Sequence, residues 1–151
     1  PQAINDTFSR VDSEFIIILD SDTVVHPEAI NKFIDLWNNT SSDLGIGTCF
    51  NTNSNNHKFI RMIDNNNYGI KENLGGFGWV INRSAWNKYC KDIKVSWDGN
   101  SVNAIKRSDE YKIYCTFNSY LEHIGFTGTH IHDRVIEGSP KSIDRASNFY
   151  D

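Results

Sequence analysis

Two aspartates, Asp20 and Asp22, stand one residue apart at the end of the apolar run Phe15–Leu19, in FIIILDSDTVV. Carboxylates at that spacing repel each other unless a cation lies between them. Oxygen ligands with several open positions suit a hard divalent ion, Mg²⁺ or Mn²⁺. The plainer alternative is an Asp-rich turn, since Asp is a common turn former. The element that must carry the pair is a strand. A short, continuous, β-branched apolar run predicts one buried on both faces, as is usual in parallel sheets. Ligands of open α/β sheets collect at the carboxyl ends of strands, where these aspartates fall.

Further candidates follow along the chain. The glycines of Leu74-Gly75-Gly76-Phe77-Gly78 have neither Walker nor GxGxxG spacing. Their simpler role is to bring backbone close to something bulky, such as a sugar ring. Asp98, in Ser96-Trp97-Asp98-Gly99-Asn100, sits at the start of an expected helix. There it is either a catalytic carboxylate or a helix cap. His123 precedes Ile-Gly and is a metal ligand or a core histidine. His130 and His132, two apart on an extended segment, point the same way and form a rival ligand pair.

The elements that must position these groups are legible from periodicity. A helix within residues 1–14 leads into the first strand, and His26-Pro27-Glu28 opens a second helix. On that helix Ile30, Phe33, Ile34 and Trp37 make the expected buried face. Leu44–Phe50 reads as a strand, and residues 51–73 as a long loop with a short strand or helix at 58–63. A strand at Trp79–Ile81, a helix from a Ser84 cap to Tyr89 and a strand at Tyr111–Thr116 follow. The tail from Thr127 has little periodicity and is expected to meander over the site or over a neighbouring chain.

These pieces predict one α/β domain over residues 1–151, with a mixed, mostly parallel sheet flanked by helices. The net charge of −4 offers no basic field for nucleic acid. The apolar run at 15–19 is far too short to span a bilayer. Cys49, Cys90 and Cys115 are widely spaced with no CxxC, so they read as reduced packing residues of a cytoplasmic protein.

The order of the motifs resembles metal-dependent glycosyltransferases of the GT-A fold, especially family 2. Ile18-Leu19-Asp20-Ser21-Asp22 with the following His-Pro-Glu-Ala-Ile is similar to the DxD strand and its helix. The stretch from Leu74 to Trp86 is similar to the acceptor-side segment, and Trp97-Asp98 to the motif that carries the catalytic base in inverting members. The stretch from Ser119 to Gly125 is similar to a late segment whose histidine can complete the metal site. The resemblance implies a Rossmann-like, truncated GT-A domain. It implies a UDP- or GDP-sugar donor, a glycan or other hydroxyl acceptor, and inversion at the anomeric carbon. Asp20, Asp22 and His123 would bind the metal and Asp98 would act as base. Gly75, Gly76, Trp79 and Trp97 would line the sugar site, although large aromatics such as these two tryptophans are more often core.

One departure shapes the expectation. Only the residues before Phe15 precede the DxD strand, whereas such enzymes begin with a half that holds the nucleotide base and ribose. The chain then reads as a fragment or a minimal relative, and an open sheet edge would favour a missing N-terminal domain or a homo-oligomer. Two other classes remain in view: a non-catalytic carbohydrate-binding or assembly fragment, and, from Asp-Ser-Asp-Thr-Val, a haloacid dehalogenase-like phosphatase.

Overall fold

The computed structural model describes residues 1–52, 57–64 and 67–123. In chain order the elements are α1 (Gln2–Arg10), β1 (Phe15–Ile18), β2 (Thr23–Val25), α2 (Ala29–Thr40), β3 (Leu44–Thr48) and β4 (Phe59–Ile63). Then come β5 (Tyr68–Lys71), β6 (Trp79–Asn82), α3 (Arg83–Tyr89), α4 (Trp97–Lys106), β7 (Lys112–Thr116) and β8 (Leu121–His123). Six strands form one sheet in the order β1-β6-β3-β7-β5-β4, and β2 and β8 form a second, two-stranded sheet.

The fold is the expected mixed α/β sheet with flanking helices, but it is not mostly parallel. Among the described residues only β3 and β7 run parallel, and every other neighbouring pair is antiparallel. The apolar runs misled because they report burial on both faces, not the direction of the neighbouring strand. β3 fits that logic, since Leu44–Thr48 is buried throughout at the sheet centre. β1 does not. It is an edge strand paired only with β6, from Phe15 opposite Asn82 to Ile18 opposite Trp79, and all four of its residues are half-buried.

Each face of the large sheet carries its own core. Ile4 and Phe8 of α1, Trp86 of α3, and Val102 and Ile105 of α4 pack with Ile46, Trp79, Ile81 and Ile113. On the other face Ala29, Phe33, Leu36 and Trp37 of α2 pack with Leu44, Val80, Tyr114 and Leu121. β6 divides its side chains between the two, as a period of two requires. Burying each large apolar side chain contributes ~1.5–3 kcal/mol, so α2 is held mainly by Phe33, Leu36 and Trp37. The expected face of α2 is rotated. Ile30 and Ile34 remain 43% and 39% exposed, while Leu36 and Thr40 are buried instead. The apolar stripe is wider than the helix contact, and the small Ala29 lets the helix settle on the 29/33/36/40 side.

Local devices fix the remaining elements. α3 starts at Arg83, not after a Ser84 cap: the Asn82 side-chain oxygen accepts from the Ala85 N–H at 3.1 Å. Arg83 donates to the carbonyls of Phe8, Val11 and Ser13 and lies over the Phe8 ring, which ties α1 to the start of β1. The long loop after β3 contains two strands rather than one. β5 escaped notice because Gly69 interrupts its pattern, yet that glycine is where the Arg61 carbonyl of β4 approaches closest. Lys71 at the end of β5 is 1% exposed, and its ammonium donates to Asn51 Oδ1 at 2.6 Å and to the Thr52 carbonyl.

The three cysteines are free and buried. Burial raises Cys90 from 9.0 to about 11 and Cys115 from 9.0 to about 12, and Cys49 also lies well above its ordinary value. Below the ordinary thiol pKa both states are protonated; above it the unfolded chain loses protons that the folded chain keeps. Stability therefore falls as pH rises through that window. Burial lowers Lys71, which acts in the opposite sense below 10.5. Urea unfolding under reducing conditions should lose roughly 2 kcal/mol per buried thiol by about pH 10.5, less what Lys71 returns. Lys71→Met should make that decline steeper, and a flat profile would contradict the buried placement of the thiols.

Candidate functional site

After Ile18 the chain leaves the large sheet, passes Asp20 and Asp22 in a turn, and re-forms as β2 of the small sheet. β2 pairs antiparallel with β8, and Thr23 lies opposite His123. That register brings together residues 101 apart in sequence: His123 Nε2 lies 3.1 Å from Asp22 Oδ2. His123 is 7% exposed, and the Phe77 ring packs on its imidazole with centroids 4.2 Å apart. Nδ1 of His123 is buried and has no hydrogen-bond partner among the described residues. Nε2 is the nitrogen turned toward the carboxylate, and Nδ1 lies on the opposite side of the ring.

Asp20 is positioned differently. Its Oδ2 accepts from the Gly78 N–H at 3.3 Å. Burial raises its pKa and the negative charge of Asp22 adds to the rise, against the opposing effects of the Gly78 N–H and of His123. The two carboxylates thus feel each other, which is the condition that favours an intervening cation.

The loop Gly75–Gly78 links these groups to Asp98. Thr48, at the end of β3, bonds through its hydroxyl to the carbonyls of Phe77 and Gly78, and the Trp79 indole N–H donates to the Gly75 carbonyl at 2.7 Å. So held, three consecutive residues touch the three parts of the site. A Cβ on Gly76 would sit 3.0 Å from Asp98 Oδ2, so the missing side chain makes room for that carboxylate. Phe77 packs on His123, and the Gly78 N–H meets Asp20. Asp98 is half-buried in the first turn of α4, past the N-cap Ser96, so it is not the capping residue. Its carboxylate is turned to the loop.

Not every expected residue belongs here. Trp79 is 1% exposed and packs edge-on against Trp97 at 5.1 Å, so it supports the loop from below and offers no face to a sugar. Trp97 is half-buried. A Cβ on Gly75 would make only ordinary contacts, with Phe77 and His57. His130 and His132 lie outside the described residues. Among the described residues no three His, Cys, Asp or Glu side chains converge as a metal-binding group. Phe77, Gly78 and Thr48 were missed, and the alternation of glycine and aromatic residues in Gly-Phe-Gly-Trp was the available signal.

The domain thus has helices on both faces of its large sheet, carboxylates at a strand end and a glycine loop beside a helical carboxylate. The family model Glycosyl transferase family 2 matches residues 1–103. The chain belongs to that family, and its general chemistry is glycosyl transfer. The matched stretch includes Asp20, Asp22, Gly75, Gly76 and Asp98 and ends before β7 and β8, so His123 is assigned by geometry alone. This membership replaces the phosphatase reading of Asp20-Ser21-Asp22. No curated protein matches the sequence. Among the described residues no helix is long and apolar enough to cross a membrane.

Gly78 carries the tightest constraint. Its φ is +51°, and a Cβ there would lie 2.1 Å from Leu121 Cδ1. Gly78→Ala should cost ~1–2 kcal/mol for the left-handed backbone and a further ~1–3 kcal/mol for displacing Leu121. Gly75→Ala should stay within about 0.5 kcal/mol of the parent. Equal urea midpoints for the two variants would show that β8 does not cross the loop at this point.

Proposed function

We propose that the domain transfers a sugar from a UDP- or GDP-sugar to an acceptor hydroxyl, with inversion at the anomeric carbon. The observation that carries this reading is the Gly76-Phe77-Gly78 loop, which touches Asp98, His123 and Asp20 in three successive residues. A base for the acceptor and ligands for the donor are thereby built on one short support.

Asp22 and His123 would hold a divalent ion, Mg²⁺ or Mn²⁺, with Asp20 beside them. The residues fit such an ion. The Asp22 carboxylate and the His123 Nε2 that faces it at 3.1 Å supply two ligands. Mg²⁺ takes one or two carboxylates and fills its remaining positions with water and substrate phosphates, so a set of three protein ligands is not required. When bound, the ion would neutralise negative charge on the departing nucleoside diphosphate. Asp98 would accept the proton of the acceptor hydroxyl as that oxygen attacks the anomeric carbon from the face opposite the leaving group. Asp20, through the Gly78 N–H, would hold the loop in register. Trp97, half-buried and packed edge-on against Trp79, would border the sugar.

The missing third protein ligand favours a second reading, a non-catalytic carbohydrate-binding or assembly domain of the same family. Calorimetry separates the two. UDP or GDP should bind in the presence of Mn²⁺, at least about tenfold more weakly without it, and as weakly again in Asp22→Ala. Asp98→Asn should leave that binding intact while slowing sugar transfer about 10²–10⁴-fold. Nucleotide binding that ignores both the metal and Asp22 would sink the catalytic reading.

A further inference from the structure

A second concavity lies away from Asp98, between α2 and the turn that joins β4 to β5. Its volume is about 180 Å³. That is smaller than the ~300–1,000 Å³ of pockets for drug-sized ligands and suits one small polar unit. One wall is the stripe Lys32, Asp35 and Asn39 of α2, at helical spacing; the facing wall is Asp64 and Asn67 of the β4–β5 turn. The Tyr68 and Tyr120 rings border the space. Lys32 lies 5.6 Å from the centre of the Tyr120 ring and 3.9 Å from Asp35.

The lining chooses among ligand classes. Asp35 and Asp64 outnumber Lys32, so a phosphate or carboxylate ligand meets net repulsion. An apolar ligand would strip water from the exposed carboxylates and amides of both walls, whose pairing within the walls is only partial. A neutral polyhydroxyl molecule satisfies them: each hydroxyl both donates and accepts, matching carboxylates that accept and amides that do both. Tyr68 at the border offers apolar surface to the C–H face that a pyranose presents on one side. We infer that this cleft is a saccharide-binding site, separate from the Asp22–His123 centre and independent of metal.

Its placement also gives it a use. The cleft is lined by Thr116, the last residue of β7, and by Tyr120 of the segment that links β7 to β8, and β8 carries His123. The Tyr120 N–H and carbonyl bond to Cys49 and His26, which anchors that segment between the two sheets. A glycan held in the cleft is thus seated on the same stretch of chain that supplies the imidazole. It fits a distal sugar of an acceptor chain, a use that rests on the transfer reading, whereas saccharide binding itself does not.

The test is an NMR titration of the ¹⁵N-labelled chain with lactose, maltose and N,N′-diacetylchitobiose, without metal or nucleotide. Inorganic phosphate and cadaverine serve as the anionic and cationic probes. Saturable shifts at Asn67, Tyr68 and Asn118 are expected with at least one disaccharide. Asn39→Ala and Asn67→Ala should each weaken them about tenfold. Both residues are exposed, and an otherwise unchanged spectrum certifies the fold of each variant. Asp22→Ala should bind sugar as the parent does, so loss of the donor site cannot imitate failure here. Saturation by cadaverine or phosphate but by no disaccharide would overturn the assignment, as would sugar-induced shifts confined to other surfaces or no saturable shift at all.

Discussion

The two sheets of this domain meet where there is no room for a side chain. Gly78 carries only hydrogen at the point where Leu121 of β8 crosses the entry to β6, with φ at +51°. A larger residue would push the small sheet away from the large one. Because the crossing is close, Phe77 can lie against the His123 ring and the Gly78 amide can reach Asp20. The site is therefore a consequence of sheet packing. It is not a loop added to a finished scaffold.

Electrostatics completes what packing begins. Burial raises the pKa of Asp20, and the charge of Asp22 adds to the rise. The nearby imidazole and a backbone N–H compensate only in part. In the proposed reading a bound cation would relieve the repulsion between the two carboxylates. On the far side of Gly76, Asp98 rests against backbone rather than another carboxylate, so the two charged regions have separate surroundings. That separation suits a base that must accept a proton while its neighbours keep their charge.

Much of this was legible in advance, for physical reasons that differ by element. The strand before Asp20 and the strand at Leu44 declared themselves through apolar runs, and the strand at 111–116 through alternation. Strand direction did not, since an apolar run is the same whichever way the neighbour points. The rotation of α2 was hidden too. Ile30 and Ile34 are as apolar as Phe33, and only the shape of the sheet decided which ones reached it. The Trp79 side chain carries no mark of its depth, and its burial follows from the register of β6 between β1 and β3.

By itself the sequence determined the chemistry available: two aspartates at a strand end, a glycine loop, a carboxylate opening a helix and a late histidine. These follow from residue type and local spacing, which act over a few residues and need no fold to be read. The tertiary structure alone decided which of them meet. Asp22 and His123 are joined across 101 residues by the pairing of two three-residue strands. Asp98 is turned from a capping role toward Gly76 by the packing of α4. Contacts of that range depend on the closure of the whole core, and no local pattern records them.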